Sequence, residues 1–296
     1  MSFVTGPVTV KVPASSANLG PGFDTLGLAL SLYDEITVEI LPGPVERLEV
    51  EIAGEGAEKL PKDKTHLVVQ SMNRAFEELG ESPTGLHVSC RNVIPHGRGL
   101  GSSAAAIVGG IVAARALVED GHHLLGDEQA LRLANEIEGH PDNVAAALLG
   151  GLTIAWTALG VGKAVRLDVL AEVSVFIPPM SVSTHTARGV LPARGSHAAA
   201  AAHAGRAALL VASLVGGRAD VLLAATEDRL HQDYRAPEMP ASHEFMSSLR
   251  ADGIPAIISG AGPTVLAFAT DLSAHTPAGW AYLELGVEPQ GATLTY

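Results

Sequence analysis

An α+β fold in two lobes is predicted by three observations on the 296-residue sequence. Segments that alternate apolar and polar residues mix with helical segments, without the regular βαβ rhythm of a doubly wound sheet. With 47% apolar residues, the chain can bury one large core or two moderate ones. Residues 158–164, "ALGVGKA", read as a boundary, giving lobes of residues 1–160 and 161–296.

The elements follow in order. "PVTVKVPAS" (7–15) alternates as a strand, "SANLGPGFDTLG" forms a glycine-containing turn, and "DEITVEIL" is a second strand. Residues 66–79, "HLVVQSMNRAFEEL", hold apolar side chains at helical spacing, and "TGLHVSCRNVIP" (84–95) alternates again. A helix of small residues spans 101–118. A second, "DEQALRLANEIE" (127–138), stops at Gly139. Pro141 suits the first position of a third, "PDNVAAALL", which Gly150 and Gly151 end before the strand "LTIAW".

The second half holds a strand near 172–178 and a helix over 197–215, whose alanine run reflects helix propensity. Helical stretches near 220–231 and 242–250 follow, then the strand-turn-strand "PAIISGAGPTVLAFA" (255–269).

A net charge of −13 opposes attraction to nucleic acid or an anionic membrane, so an anionic ligand needs a local pocket. The single cysteine, Cys90, excludes an intrachain disulfide framework and cysteine-rich zinc sites. The N-terminus has no long apolar signal-like run, and no stretch reaches the roughly 18 uninterrupted apolar residues of a membrane span. These features predict a cytoplasmic protein with a small-molecule ligand.

"RGLGSSAAAIVGG" (98–110) lies between a strand and a helix. Glycines 97, 99 and 101 let backbone approach a ligand, while Ser102 and Ser103 put hydroxyls at a helix N-terminus, where free N–H groups and the helix dipole favour phosphate. No Lys follows the last glycine as in a Walker A loop, and Ser102 breaks the G-x-G-x-x-G dinucleotide fingerprint. Asn18 and Asp24 are polar residues in an apolar strand-to-turn passage. In "EIEGHPDN" (136–143), Asp142 occupies a first helical turn, where the dipole favours its ionised form. "SGAGPT" (259–264) is a third glycine-rich turn, suited to buttressing the phosphate loop.

The stretches "KVPASSANLGPGFDTLGLAL", "IPHGRGLGSSAAA" and "ISGAGPTVLAF" resemble, in order and spacing, the three signature motifs of the GHMP small-molecule kinases. "EGHPDN" and "STHTAR" narrow the resemblance to the branch acting on an amino-acid alcohol, and it extends from about residue 8 to residue 268. The resemblance implies an N-terminal lobe like ribosomal protein S5 domain 2 and a ferredoxin-like C-terminal lobe, with the active site between them. It further implies ATP-dependent phosphorylation of the side-chain hydroxyl of L-homoserine, a step of threonine biosynthesis, by a homodimer.

By the same resemblance, Pro95, His96, Gly97, Arg98, Gly99, Leu100, Gly101, Ser102, Ser103, Ala104 and Ala105 wrap the ATP triphosphate. Mg²⁺ falls to Ser103 and Glu136, with Glu138 a rival two positions away. Arg188 and Arg235 take the substrate carboxylate, with Thr184 nearby. Asp24, His140 and Asp142 surround its ammonium, and Asn18 and Asn143 approach the reacting hydroxyl. Whether Asp142 takes the hydroxyl proton stays open, and His203 is a weaker candidate. A kinase for another alcohol, a catalytically silent nucleotide-binding protein and a dinucleotide-dependent oxidoreductase are the competing readings.

Overall fold

The computed structural model describes residues 3–4, 6–43 and 46–295. The first lobe comprises β1 (Val8–Asn18), β2 (Gly22–Ile40), β3 (Arg47–Gly54), α1 (Leu67–Leu79), β4 (Gly85–Asn92), α2 (Ser102–Leu117), α3 (Gly121–Leu124), α4 (Asp127–Glu138), α5 (Pro141–Leu149), β5 (Leu152–Ala158) and β6 (Val161–Leu167). The second comprises β7 (Glu172–Ile177), α6 (Thr184–Gly189), α7 (His197–Gly216), α8 (Leu222–Ala225), α9 (Gln232–Arg235), α10 (Pro240–Ala251), β8 (Ala256–Ile258), β9 (Val265–Ala267) and β10 (Ala281–Gly286). The chain then returns to the first lobe as β11 (Thr293–Thr295).

The first sheet runs β11-β1-β2-β4-β3, with β5 on β2 and β6 on β5; among its described strands only β3 and β4 pair in parallel. The second, β10-β7-β9-β8, is antiparallel throughout. The predicted α+β two-lobe class is therefore the observed one.

The division between lobes differs from the predicted 160/161. β6 pairs with β5 in the first sheet, so the break in sheet membership lies between Leu167 and Glu172. The linker-like "ALGVGKA" is a hairpin: Leu159 and Gly160 both have positive φ, 53° and 81°, the requirement of a two-residue turn that matches strand twist. The long turn predicted after the first strand is also mostly strand. β1 runs to Asn18 and β2 starts at Gly22, with register shifts at Pro13/Ala14 and Ala17/Asn18. Beyond residue 268, where no motif was recognised, β10 extends the second sheet and β11 pairs with β1.

α2 is buried along most of its length, including Ala104, Ala105, Ile107, Val108, Ile111, Val112 and Leu117. Packing against β1 on one side and α1, α4 and α5 on the others explains why it is apolar all round rather than striped. The second lobe has its own core around Phe176, Met246, Leu249 and Val265, with Phe176 and Phe245 in edge-on contact at 4.9 Å. Among described helices, α7 alone is long and apolar enough to cross a membrane by length and composition. Leu210 and Leu214 bury in the protein, and Arg206 and His203 pair with Glu227 and Asp228 at 2.9 and 3.4 Å.

Candidate active site

A cleft of about 150 Å³ lies where the end of β1, the loop before α2, the end of α4, the starts of α5 and α6, Arg235 of α9 and the turn between β8 and β9 converge. Its floor follows from the glycine loop. Gly97, Gly99 and Gly101 all take left-handed φ values, 64°, 75° and 73°. A Cβ on Gly99 would lie 2.2 Å from the Ser259 carbonyl oxygen, and one on Gly101 2.1 Å from Ser15 Oγ. Only glycine lets the loop press this closely on its neighbours. Ser259 Oγ donates to Gly99 O at 2.6 Å and bonds Ser16 Oγ at 2.8 Å, so the third glycine turn does buttress the loop.

α2 begins beside the cleft with Gly101 at its N-cap and no side-chain cap, which leaves its first N–H groups for an anion. Of the eleven residues expected to wrap a triphosphate, Gly97, Gly99, Gly101, Ser102 and Ser103 line the cleft. Leu100, Ala104 and Ala105 are instead fully buried and anchor the loop in the core. Pro95 and Arg98 are not on the wall, and His96 faces a neighbouring cavity of about 320 Å³.

That cavity is a feature the sequence reading missed. Ile36, Leu60, Leu67, Val68 and Ala106 give it apolar walls, and it meets the cleft at Ser102 and Ser103. Asp34 shapes its rim by accepting the N–H groups of Val93 and Ile94 at 2.6 and 2.8 Å, although burial raises its carboxyl above the usual range.

The two rival glutamates separate clearly. Glu136 is exposed and pairs with Arg132 at 2.7 Å and Arg74 at 3.9 Å, away from the loop, so its predicted place beside Ser103 is not the observed one. Glu138 lines the cleft and accepts from Ser103 Oγ at 2.8 Å. The physical reason is helical phase: two positions turn about 200°, so the two side chains leave α4 on opposite faces. Burial raises the Glu138 carboxyl, against the lowering effects of Ser103 and Arg188.

Ser103 and Glu138 fit a Mg²⁺ ion, which usually takes one or two protein oxygens and completes its shell with phosphates and water. Among described residues no three His, Cys, Asp or Glu side chains form a metal cage.

α5 brings His140, Asp142 and Asn143 to the cleft. Asp142 is 3% exposed and accepts the Asn143 N–H at 2.8 Å. Burial pushes its carboxyl up to about 7, reinforced by the charges of Asp24 and Glu138 and opposed by the Asn143 N–H and by Arg188. Burial and Arg188 lower the His140 imidazole. Asn143 Oδ1 accepts from Ser15 Oγ at 2.9 Å.

Asn18 also lines the cleft, but both ends of its amide are engaged. Nδ2 donates to Gly260 O at 2.8 Å and Oδ1 accepts the Asp24 N–H at 3.0 Å. It ties two glycine turns together rather than presenting a free amide.

At the far end Thr184, Arg188 and Arg235 face inward. Asp24 is not on the cleft wall itself but pairs with Arg188, whose two terminal nitrogens meet its carboxylate oxygens at 3.0 and 2.5 Å. Arg235 is 2% exposed, and burial together with Arg188 lowers its guanidinium to about 10. Phe23, not singled out from the sequence, has its ring centroid 5.5 Å from Arg188 Cζ and 5.3 Å from Arg235 Cζ, so one ring lies within cation–π reach of both cations. His203 pairs with Asp228 and does not line the cleft.

These side chains offer placement of charge, with N–H and hydroxyl donors at one end and guanidinium and carboxylate groups at the other, which is what phosphoryl transfer between two small molecules demands. The fold and cleft define a small-molecule kinase of the GHMP type, and residues 66–151 match the family described as GHMP kinases N terminal domain. The chain is 54% identical to the homoserine kinase of Streptomyces avermitilis, over 99% of this chain and 97% of that protein, and 46% identical to that of Leifsonia xyli, over 97% and 91%. The crystal structure of homoserine kinase from Cytophaga hutchinsonii matches 100% of this chain and 99% of its own, with a TM-score of 0.84 at 26% identity. L. major mevalonate kinase in complex with R-mevalonate shares the fold at a TM-score of 0.64 and 18% identity, covering 97% of each chain. The chain belongs to the homoserine kinase family.

Proposed function

We propose that the cleft transfers the γ-phosphoryl group of ATP to the side-chain hydroxyl of L-homoserine, giving O-phospho-L-homoserine for threonine biosynthesis. The observation that carries this reading is an uncapped helix N-terminus in the same cleft as Arg188, whose guanidinium is paired with Asp24. The helix N-terminus suits a polyphosphate, and the pair matches the two opposite charges of an α-amino acid.

Gly97, Gly99, Gly101 and Ser102 receive the triphosphate, and the adjoining apolar cavity receives the nucleoside. Ser103 and Glu138 would hold Mg²⁺, which supplies charge neutralisation on the phosphates. Arg188 and Arg235 take the amino-acid carboxylate, with Thr184 beside them. Asp24 and His140 face the ammonium. Asp142 and Asn143 meet the reacting hydroxyl, with Asn18 holding the turn that carries Asp24. Because a loose phosphoryl-transfer transition state needs little covalent help, these residues act by orientation and by exclusion of water. Asp142, titrating near neutrality, accepts the hydrogen bond of the hydroxyl.

ATP consumption with purified protein, screened against L-homoserine, mevalonate, galactose and L-serine, tests the reading. Turnover with L-homoserine alone supports it, while phosphorylation of mevalonate or galactose in its place sinks it. A homodimer in the cytoplasm belongs to the same proposal, and light scattering distinguishes dimer from monomer.

A further inference from the structure

Arg235 is held in an unusual way for a buried cation. Its Nε donates to Ala187 O at 3.0 Å, next to Arg188, and its Nη1 reaches Gly260 O at 3.3 Å. The remaining contact of Nη1 is with His231 Nδ1 at 3.2 Å. Nη2 has no hydrogen-bond partner among the described residues.

His231 is itself fully buried, and its Nε2 lies 2.8 Å from Gly20 O. A carbonyl can only accept, so Nε2 carries the proton and Nδ1 offers its lone pair to Arg235. Phe23 packs on the ring at 5.1 Å between centroids, Asp228 Oδ2 fixes the local backbone by accepting the N–H groups of His231 and Gln232 at 3.0 and 2.7 Å, and the buried Asp228 Oδ1 lies 3.7 Å from Nε2.

We propose that His231 is a positioning residue that aims Arg235 at the carboxylate of the acceptor substrate. This rests on the amino-acid reading of the cleft. Two properties of the contact carry it. The imidazole supplies a hydrogen-bond acceptor at a fixed point, which removes rotamer freedom from a long side chain before substrate arrives. The acceptor is also neutral. A carboxylate in its place would cancel the guanidinium charge and compete with the substrate, as Asp24 does at Arg188; an imidazole holds the cation without neutralising it. Among the described contacts, Arg188 is thus paired with a carboxylate and Arg235 is not, which leaves the Arg235 fork without a competing anion on its donors.

The test is steady-state kinetics of His231→Ala, His231→Asn and His231→Gln, with Arg235→Ala alongside and a melting curve for each. Loss of one neutral hydrogen bond predicts a rise in KM for L-homoserine of about tenfold in His231→Ala, with kcat and KM for ATP nearly unchanged. In His231→Asn the amide oxygen falls near the Nδ1 position and recovers most of the loss, whereas in His231→Gln it falls near Nε2 and does not. Equal behaviour of the Asn and Gln variants, or parallel losses in both KM values and in melting temperature, overturns the proposal in favour of a merely structural histidine. The Asn and Gln pair decides the matter even if His231→Ala does not fold. An unchanged KM for L-homoserine in Arg235→Ala overturns the amino-acid reading itself, so the two failures are distinguishable.

Discussion

Arg188 and Asp24 are joined fork to fork, through contacts of 3.0 and 2.5 Å, although the chain positions lie on separate lobes. On the proposed reading, the pair would offer an α-amino acid a direct exchange, in which the carboxylate takes over the guanidinium and the ammonium takes over the aspartate. A ligand with only one of these charges breaks the pair and leaves one member without a partner, which disfavours simple alcohols.

Asp24→Asn therefore raises KM for L-homoserine by about one to two orders of magnitude, while KM for ATP stays close to the parent value. Thermal stability should barely change. The two side chains are 33% and 36% exposed, and such ion pairs contribute at most about 1 kcal/mol.

Glu138→Gln and Glu136→Gln form a second, paired test. Removing the carboxylate that meets Ser103 should cut kcat by about a hundredfold or more and shift the Mg²⁺ concentration needed for half-maximal rate upward. The exposed partner of Arg132 should tolerate the same change, with activity within about twofold. Equal tolerance at both sites would remove Glu138 from the metal site.

Asp142 makes a prediction about pH. Burial holds its folded-state carboxyl at about 7, above the ordinary aspartate value of 3.8, so the folded chain binds the proton more tightly. This contribution to stability is complete below the unfolded value, falls as pH rises toward 7 and is lost above it. Relative to Asp142→Asn, the parent protein should lose about 1 kcal/mol between pH 6 and pH 8, read from urea melts. Kinetics of the same variant separate two roles at the hydroxyl: a base gives a large fall in kcat, and a binding group a raised KM with kcat retained.

Gly99→Ala should damage stability and nucleotide binding together. The added methyl meets a backbone oxygen at 2.2 Å from a φ of 75°, and neither can move without pulling the third glycine turn away. A loss of about 2–4 kcal/mol is expected, with a raised KM for ATP in whatever protein remains folded.

The helices of the first lobe and the phosphate loop were legible because their signals are local: apolar period, a proline at N1 and glycines at the ends of α4 and α5. The Glu136/Glu138 choice was legible in principle. Leu131, Ala134 and Glu138 share one face of α4, and the first two are buried. The wall role of Ser102 and Ser103 followed from residue type, whereas the burial of Leu100 depended on how the loop folds over the core. The Asp24–Arg188 contact spans 164 positions, and nothing local in either segment announces it. The hairpin at Leu159 was hidden because leucine seldom adopts positive φ, so its turn reads as an undirected linker.

The pairing of Thr9 with Thr295 brings together the first and last described strands. The second lobe is thus an insertion between two strands of one sheet, and that sheet gains its β11 edge only after the whole second lobe has been synthesised. Closing so long a loop costs little more entropy than closing one half its length, because the cost grows with the logarithm of length, but it places the step late in folding. Until then the outer edge of β1 presents unpaired N–H and C=O groups to any other strand it meets, which makes the interval before closure the period of greatest exposure to aggregation.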